Sequence, residues 1–298
     1  MSVWPEPLAR AYEACEAMAR SHYENFPVAS RLLPPAMRPH VAALYAFARV
    51  ADDIADEGAA PPEERQAGLA EWRRHLHNAA EGADDDWPEG SRARLIFLAL
   101  GHSIRSLDLP VALFDDLLSA FGQDTMTSRY ASWADVMDYC RRSANPVGRL
   151  VLRIAGYRDE ALDRSSDALC TALQLTNFWQ DFGRDWRAGR LYVPVAVVDA
   201  CGARESDLNE GRMTPAWIDA LARAVVFTRE LFGQGRAVCD GVGGRLRVEL
   251  RFTWLGGMRI LERVDRGRAD LLVRRPALGA ADAPILLWRA LLWKGARS

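Results

Sequence analysis

The chain lacks the cysteine pattern of a disulfide or zinc scaffold. Its five cysteines, Cys15, Cys140, Cys170, Cys201 and Cys239, are odd in number, scattered and never spaced C-x-x-C. That favours reduced thiols in a cytoplasmic protein. Long hydrophobic runs are missing too: no segment approaches the roughly 20 consecutive apolar residues of a spanning helix. The opening MSVWPEPLARAYEACEAMAR carries charges where a secretory leader would be apolar. Charge of one sign is also lacking. The 38 Lys and Arg against 40 Asp and Glu leave a formal charge of -2, so there is no general electrostatic case for nucleic acid as a partner. The glycines of GVGG (241–244) follow no strand and do not match G-x-G-x-x-G, so they say nothing for a dinucleotide site.

What is present reads as helix. Ala, Leu, Arg and Glu dominate, and apolar residues recur at three- and four-residue intervals in segments such as WIDALARAVVFTRELF (217–232). Period-two alternation between turn residues is scarce, which leaves little room for a sheet. Breaks are expected at LLPPAMRP, GAAPPEE, EGADDDWPEG, GHSIRSLDLP, AGRLYVP and DGVGG, each punctuated by Pro, Gly or Asp. No fixed repeat and no linker long enough to separate independent domains is found. The expectation is one all-α domain over residues 1–298 with 49% apolar residues to build its core. The late stretch PILLWRALLWKG (284–295) reads first as a C-terminal helix packed on that core. The alternative is peripheral contact with a membrane through Trp288, Leu291, Leu292 and Trp293.

Two polar stripes interrupt this apolar pattern. In YAFARVADDIADE (45–57), Tyr45, Arg49, Asp52 and Asp56 fall at i, i+4, i+7 and i+11, one continuous helix face. Asp53 and Glu57 fall off it and are expected at the surface or behind the stripe. In DALCTALQLTNFWQDFGRDWRAGRLYVP (167–194), Gln174, Asn177, Asp181 and Asp185 fall at i, i+3, i+7 and i+11. Gly189 and Pro194 then lead into a loop bearing Arg187, Arg190 and Tyr192. A helix apolar on its other faces is normally buried, so each stripe is expected to line something.

Carboxylates facing one another across a cavity repel unless hard divalent cations lie between them. Oxygen-only ligation suits Mg2+, which takes one or two carboxylates plus phosphate oxygens and water. No His or Cys accompanies these aspartates, which argues against zinc. Arg49, Arg187 and Arg190 could meet the remaining phosphate charge. The residues therefore read as a magnesium-bridged diphosphate site in a helical bundle with an apolar pocket, suited to diphosphate departure and a carbocation held away from water.

The motifs DDIAD (52–56) and DFGRD (181–185), with NFWQD and GRLYVP around the second, resemble the squalene/phytoene synthase family. SHYENFPVAS, LPPAMRPHVAALYAFAR and YCRRSANPVGRL extend the resemblance over nearly the whole chain and in the family's order. It implies an all-α isoprenoid synthase fold with a central apolar cavity and two or three Mg2+ ions bridging the aspartates to a prenyl diphosphate. Carried over, Asp52, Asp56, Asp181 and Asp185 would bind metal. Gln174 and Asn177 would support metal or diphosphate, and Tyr45 and Arg49 would flank it. Tyr139 would face the reacting carbons and stabilise positive charge.

Members that join two prenyl diphosphates often carry Arg before the second motif, where this chain has Gln180, and Ser where it has Asn25 before Phe26. The combination is similar to the bacterial branch that turns presqualene diphosphate and water into hydroxysqualene on the way to hopanoids. That reaction needs no NADPH. His22, Tyr23, Tyr139 and Gln180 are the candidates for positioning the capturing water. The alternatives are condensation of two farnesyl diphosphates and a non-catalytic isoprenoid-binding protein of the same fold. Either enzyme would be coupled to other squalene-pathway enzymes and would work in the cytoplasm or at the inner face of the membrane.

Overall fold

A computed structural model describes residues 4–21, 32–56, 58, 60–83, 87 and 91–293. In chain order these form α1 (Glu6–Ser21), α2 (Arg38–Asp56), α3 (Pro62–Glu81), α4 (Arg92–Leu107), α5 (Val111–Asp124), α6 (Trp133–Ser143), α7 (Asn145–Ile154) and α8 (Glu160–Gln180). They continue as α9 (Phe182–Arg187), α10 (Val195–Cys201), α11 (Glu205–Asn209), α12 (Pro215–Gly235), α13 (Val238–Gly241), α14 (Gly244–Arg266) and α15 (Asp282–Leu291). Extended pairing among the described residues is limited to one isolated bridge, Arg129 with Leu191. The all-α expectation is met.

Helix ends follow local chemistry. Ser132 and Asp135 form a reciprocal capping box at the start of α6. Pro62 opens α3, and Gly82, at φ 81°, closes it in the left-handed conformation that costs glycine least. GHSIRSLDLP departs from its expected break: α4 runs through Gly101 to Leu107 before Asp108 turns left-handed. Gly101 serves packing instead, since an added Cβ would lie 2.6 Å from the Ala79 carbonyl oxygen of α3.

The contacts gather into two compact units. The first comprises residues 1–126 and 146–159. There α2 packs on α1, α3, α4 and α5, and Phe47 meets Trp72, Phe97 and Phe114 at ring-centre distances of 6.0, 6.2 and 5.5 Å. Each such buried ring contributes about 1.5–3 kcal/mol. The same unit holds a polar cluster, in which Tyr12 Oη meets His40 Nδ1, His102 Nδ1 and Ser103 Oγ at 3.1, 2.8 and 2.9 Å.

The second unit comprises residues 127–145 and 160–298. Its central helix is α8, packed on α6, α12, α13 and α14. Trp179 is fully buried and its indole N–H donates to Thr228 Oγ1 on α12 at 2.8 Å. Gly235 lets α12 approach α8 so closely that an added Cβ would lie 2.6 Å from the Leu169 amide nitrogen. The C-terminal end of α8, which leads into Asp181, is thereby pinned through Trp179 to α12.

Candidate active site

The first unit carries the DDIAD half. α2 buries Val41, Ala42, Leu44, Phe47, Ala51 and Ala55, leaving Tyr45, Arg49 and Asp52 half-buried and Asp56 exposed at the helix end. The expected stripe is therefore present as a helix face. Within it, Arg49 Nη1 lies 3.5 Å from Asp52, while Nη2 lies 2.6 Å from Asp53. Asp53, which falls off the stripe, is thus the closer partner of Arg49. Burial pushes the Tyr45 phenol up, with Arg49 opposing and Asp53 adding to the shift. Arg65 of α3 donates to the Ala55 carbonyl, and to those of Gly58 and Ala60 at 2.8 and 2.9 Å. A cation on the terminal carbonyls fixes the end of α2.

The second unit carries the DFGRD half. α8 stops at Gln180, and Asp181 takes φ -94° and ψ 8° before α9 resumes. That is the sparsely populated bridge region in which many functional residues sit. Asp181 and Asp185 are thus split from Gln174 and Asn177 by a bend, correcting the single continuous helix assumed from spacing. Gln174 and Asn177 are half-buried on the open side of α8, and neither side chain has a hydrogen-bond partner among the described residues. Asp185 is half-buried, and its carbonyl accepts from the Arg190 amide at 2.8 Å.

Asp181 is nearly buried and already paired. Arg275 Nε meets Oδ1, and Nη2 lies 3.2 Å from Oδ2. Arg184 stands 3.6 Å from Oδ1. The segment 271–279 straps over this junction: Gln180 Nε2 donates to the Pro276 carbonyl at 2.6 Å, and Arg187 Nη1 to the Leu272 carbonyl at 3.1 Å. Gln180 therefore has its amide nitrogen engaged by backbone. Sequence spacing gave no warning of Arg275, which is distant along the chain and belongs to no stripe. The only available signal was the paired arginines of VRRP.

Aromatic faces assemble beside α8. Tyr192 stacks on Phe178 at 3.6 Å with planes 3° apart, and Tyr139 lies 6.1 Å from Phe178 and 5.6 Å from Tyr130. Such faces can stabilise positive charge. Arg129 holds the loop that carries Tyr192, donating to the Gly189 carbonyl at 2.6 Å and pairing with Glu205 at 2.8 Å. The Arg129 guanidinium holds the Glu205 carboxyl below its ordinary range. In YCRRSAN, Arg141 and Arg142 clamp Asp138 at 2.8 and 2.9 Å, and Asn145 accepts from Thr171 of α8 at 2.9 Å. His22, Asn25 and Phe26, with Tyr23, lie outside the described residues.

The donor set fits magnesium. α2 supplies carboxylate oxygen, α8 with α9 supplies carboxylate and amide oxygen, and no three His, Cys, Asp or Glu side chains cluster among the described residues. Mg2+ needs only one or two carboxylates when phosphate and water complete its shell.

Helices throughout, with two separate aspartate motifs bordered by arginines, amides and aromatic faces, define an isoprenoid synthase. The chain belongs to the squalene/phytoene synthase family, whose model matches residues 19–282. It is 39% identical to the hydroxysqualene synthase of Zymomonas mobilis over 209 residues, 70% of this chain and 67% of that one. It is 29% identical to the phytoene synthase of Thermus thermophilus over 293 residues, 97% of this chain and 95% of that one. The crystal structure of squalene synthase HpnC from Alicyclobacillus acidocaldarius superposes with a TM-score of 0.80 at 39% identity, covering 88% of this chain and 96% of that one. A dehydrosqualene synthase solved with a ligand shares the fold, with a TM-score of 0.81 at 21% identity over 96% of this chain and 98% of that one. This is a family of enzymes acting on prenyl diphosphates and generally using divalent metals.

Proposed function

We propose that the chain converts presqualene diphosphate and water to hydroxysqualene and diphosphate, a step towards squalene and hopanoids, without NADPH. Magnesium held by Asp52, Asp56, Asp181 and Asp185 would neutralise the leaving diphosphate. Arg49 and Arg190 would share its charge, and the free amides of Gln174 and Asn177 would orient oxygens around it. Tyr139, Tyr192 and Phe178 would present ring faces to the carbocation left behind and keep bulk water from it. Tyr45 would buttress Arg49.

The observation that carries this reading is the residue before the second motif. Gln180 is neutral and tied to the Pro276 carbonyl, where the condensing relatives often supply a cation. The likeness to hydroxysqualene synthases supports the same branch. Condensation of two farnesyl diphosphates is the second reading, favoured by the likeness to phytoene synthases over almost the full chain.

Incubation with presqualene diphosphate and Mg2+, without NADPH, tests the proposal by mass spectrometry of the lipid product. Hydroxysqualene and inorganic diphosphate are expected. Unreacted substrate, or squalene formed on adding NADPH, overturns it. Presqualene diphosphate made from farnesyl diphosphate alone establishes the condensing reading.

A further inference from the structure

Arg129 is a junction for several stretches of chain in the second unit. Its Nε and Nη2 close on the two carboxylate oxygens of Glu205 at 2.8 and 3.0 Å. Its Nη1 donates to the carbonyl of the preceding Ser128 at 2.8 Å and to that of Gly189 at 2.6 Å. The guanidinium also lies 5.4 Å from the ring centre of Trp186 in α9. A planar fork engaged in this way orients its partners, which a single point charge does not.

The backbone beside it continues the tie. Gly189, at φ 80°, turns the chain in the left-handed conformation. The Leu191 amide then donates to the Ser128 carbonyl at 3.0 Å, and the Val195 amide to that of Tyr130 at 2.9 Å. Arg129 and Leu191 form the isolated parallel bridge, so the next residues along the two segments, Tyr130 and Tyr192, come side by side. Their ring centres are 5.9 Å apart, with planes 24° from parallel. Successive residues of an extended segment face opposite sides. Tyr130 is accordingly buried, while 29% of the Arg129 side chain is exposed. The clamp lies outside and the rings it serves lie within.

We propose that Arg129 is a positioning residue: with Glu205 it holds the 189–192 turn so that Tyr192 stays flat on Phe178, and thereby sets the ring wall offered to the carbocation. This role rests on the assignment of Tyr192 as a ring that stabilises the carbocation. Tyr192 and Phe178 meet at 3.6 Å with planes 3° apart, a stack that a shift of the turn would open. The attraction of a ring for a cation depends on the cation standing over its face, so a displaced ring loses it. Glu205 offsets the guanidinium charge, so the clamp itself brings little repulsion to a nearby cation.

Calorimetric titration of the full chain with N,N-dimethylfarnesylamine, a farnesyl cation at neutral pH, and with neutral farnesol tests this role. The ratio of the two dissociation constants reads the preference for the cation, whereas partial unfolding or a lost apolar contact weakens both probes alike. Tyr192→Leu should lower that preference about fivefold, as expected for one cation–ring contact. Arg129→Gln should lower it by a similar factor, and the double variant no further than the larger single effect, because the arginine acts through the ring. Should Arg129→Gln not fold, Glu205→Gln takes its place with a smaller loss, about two- to threefold, since the hydrogen bond to Gly189 remains. An unchanged preference in Tyr192→Leu overturns the assignment of that ring and the positioning role with it. A preference lowered in Tyr192→Leu but kept in the clamp variant overturns the positioning role alone, and so do losses that add in the double variant.

Discussion

Arg275 closes on both carboxylate oxygens of Asp181, Nε against Oδ1 and Nη2 3.2 Å from Oδ2. A bidentate guanidinium on a nearly buried carboxylate is a strong local pairing. It also places a cation on the atoms the proposed function assigns to magnesium. A metal at Asp181 would then compete with Arg275 for these oxygens, and a displaced guanidinium would become available to phosphate oxygens.

Arg275→Gln should expose that competition. Removing the guanidinium leaves Asp181 short of a partner, at a cost of about 1–2 kcal/mol in urea unfolding without metal, given the partial exposure of the arginine. Mg2+ should then raise the unfolding midpoint of the variant more than that of the wild type, since the ion no longer competes for the carboxylate. An equal rise in both proteins would show that ion and arginine do not contest the same oxygens.

Asp52→Ala and Asp181→Ala should part company in stability while agreeing in activity. Each removes a proposed metal ligand, so magnesium-dependent diphosphate release should fall by roughly a hundredfold or more. Asp52 is 42% exposed in its side chain and stands 3.5 Å from Arg49, so its loss should move stability by no more than about 0.5 kcal/mol. Asp181→Ala takes the bidentate carboxylate away from Arg275 and should cost about 1–2 kcal/mol. Urea titrations beside a diphosphate-release assay make the comparison, and full activity in either variant contradicts the assigned ligands.

Gly183 shows what sequence could and could not disclose. Helical periodicity revealed α2 and α8, and the spacing of Asp52 and Asp56 placed them on one face, because both signals lie within a few turns of chain. The bend at Asp181 and the strap over it depend on partners some 90 residues away along the chain, Leu272, Arg275 and Pro276, and local spacing carries no trace of them. Gly183 reads as an unremarked member of DFGRD, yet an added Cβ would lie 2.2 Å from the Leu272 carbonyl oxygen and 2.8 Å from that of Leu271. Backbone cannot yield there cheaply. Gly183→Ala should therefore push the strap away, costing about 1–3 kcal/mol in chemical denaturation and loosening the Arg275–Asp181 pair. A variant as stable as wild type would mean the strap is not seated on α9.

The Tyr12–His40–His102 cluster makes the first unit sensitive to acid. Burial pushes His40 down to about 4, with the neighbouring His102 ring adding to the shift. His102 is lowered by burial first and by Arg105 second. Tyr12, which touches both rings, is pushed up to about 12 by burial and stays neutral throughout this range. Ser103 and Trp4 offer neither ring an anionic partner. In the unfolded chain both histidines titrate near the ordinary value of about 6.5. Between that value and about 4, the unfolded state binds protons that the folded state refuses, so stability falls as the pH falls. The stabilisation from neutral His40 is fully present above about pH 6.5 and is lost progressively towards about pH 4. Unfolding free energies measured from about pH 7 to about pH 5 keep most carboxylates ionised and isolate the histidines. A downward slope towards acid is expected for the wild type, and a flatter one for His40→Gln, whose side chain can keep a hydrogen bond to Ser103 without titrating. An identical slope in the two proteins would show that His40 titrates alike folded and unfolded.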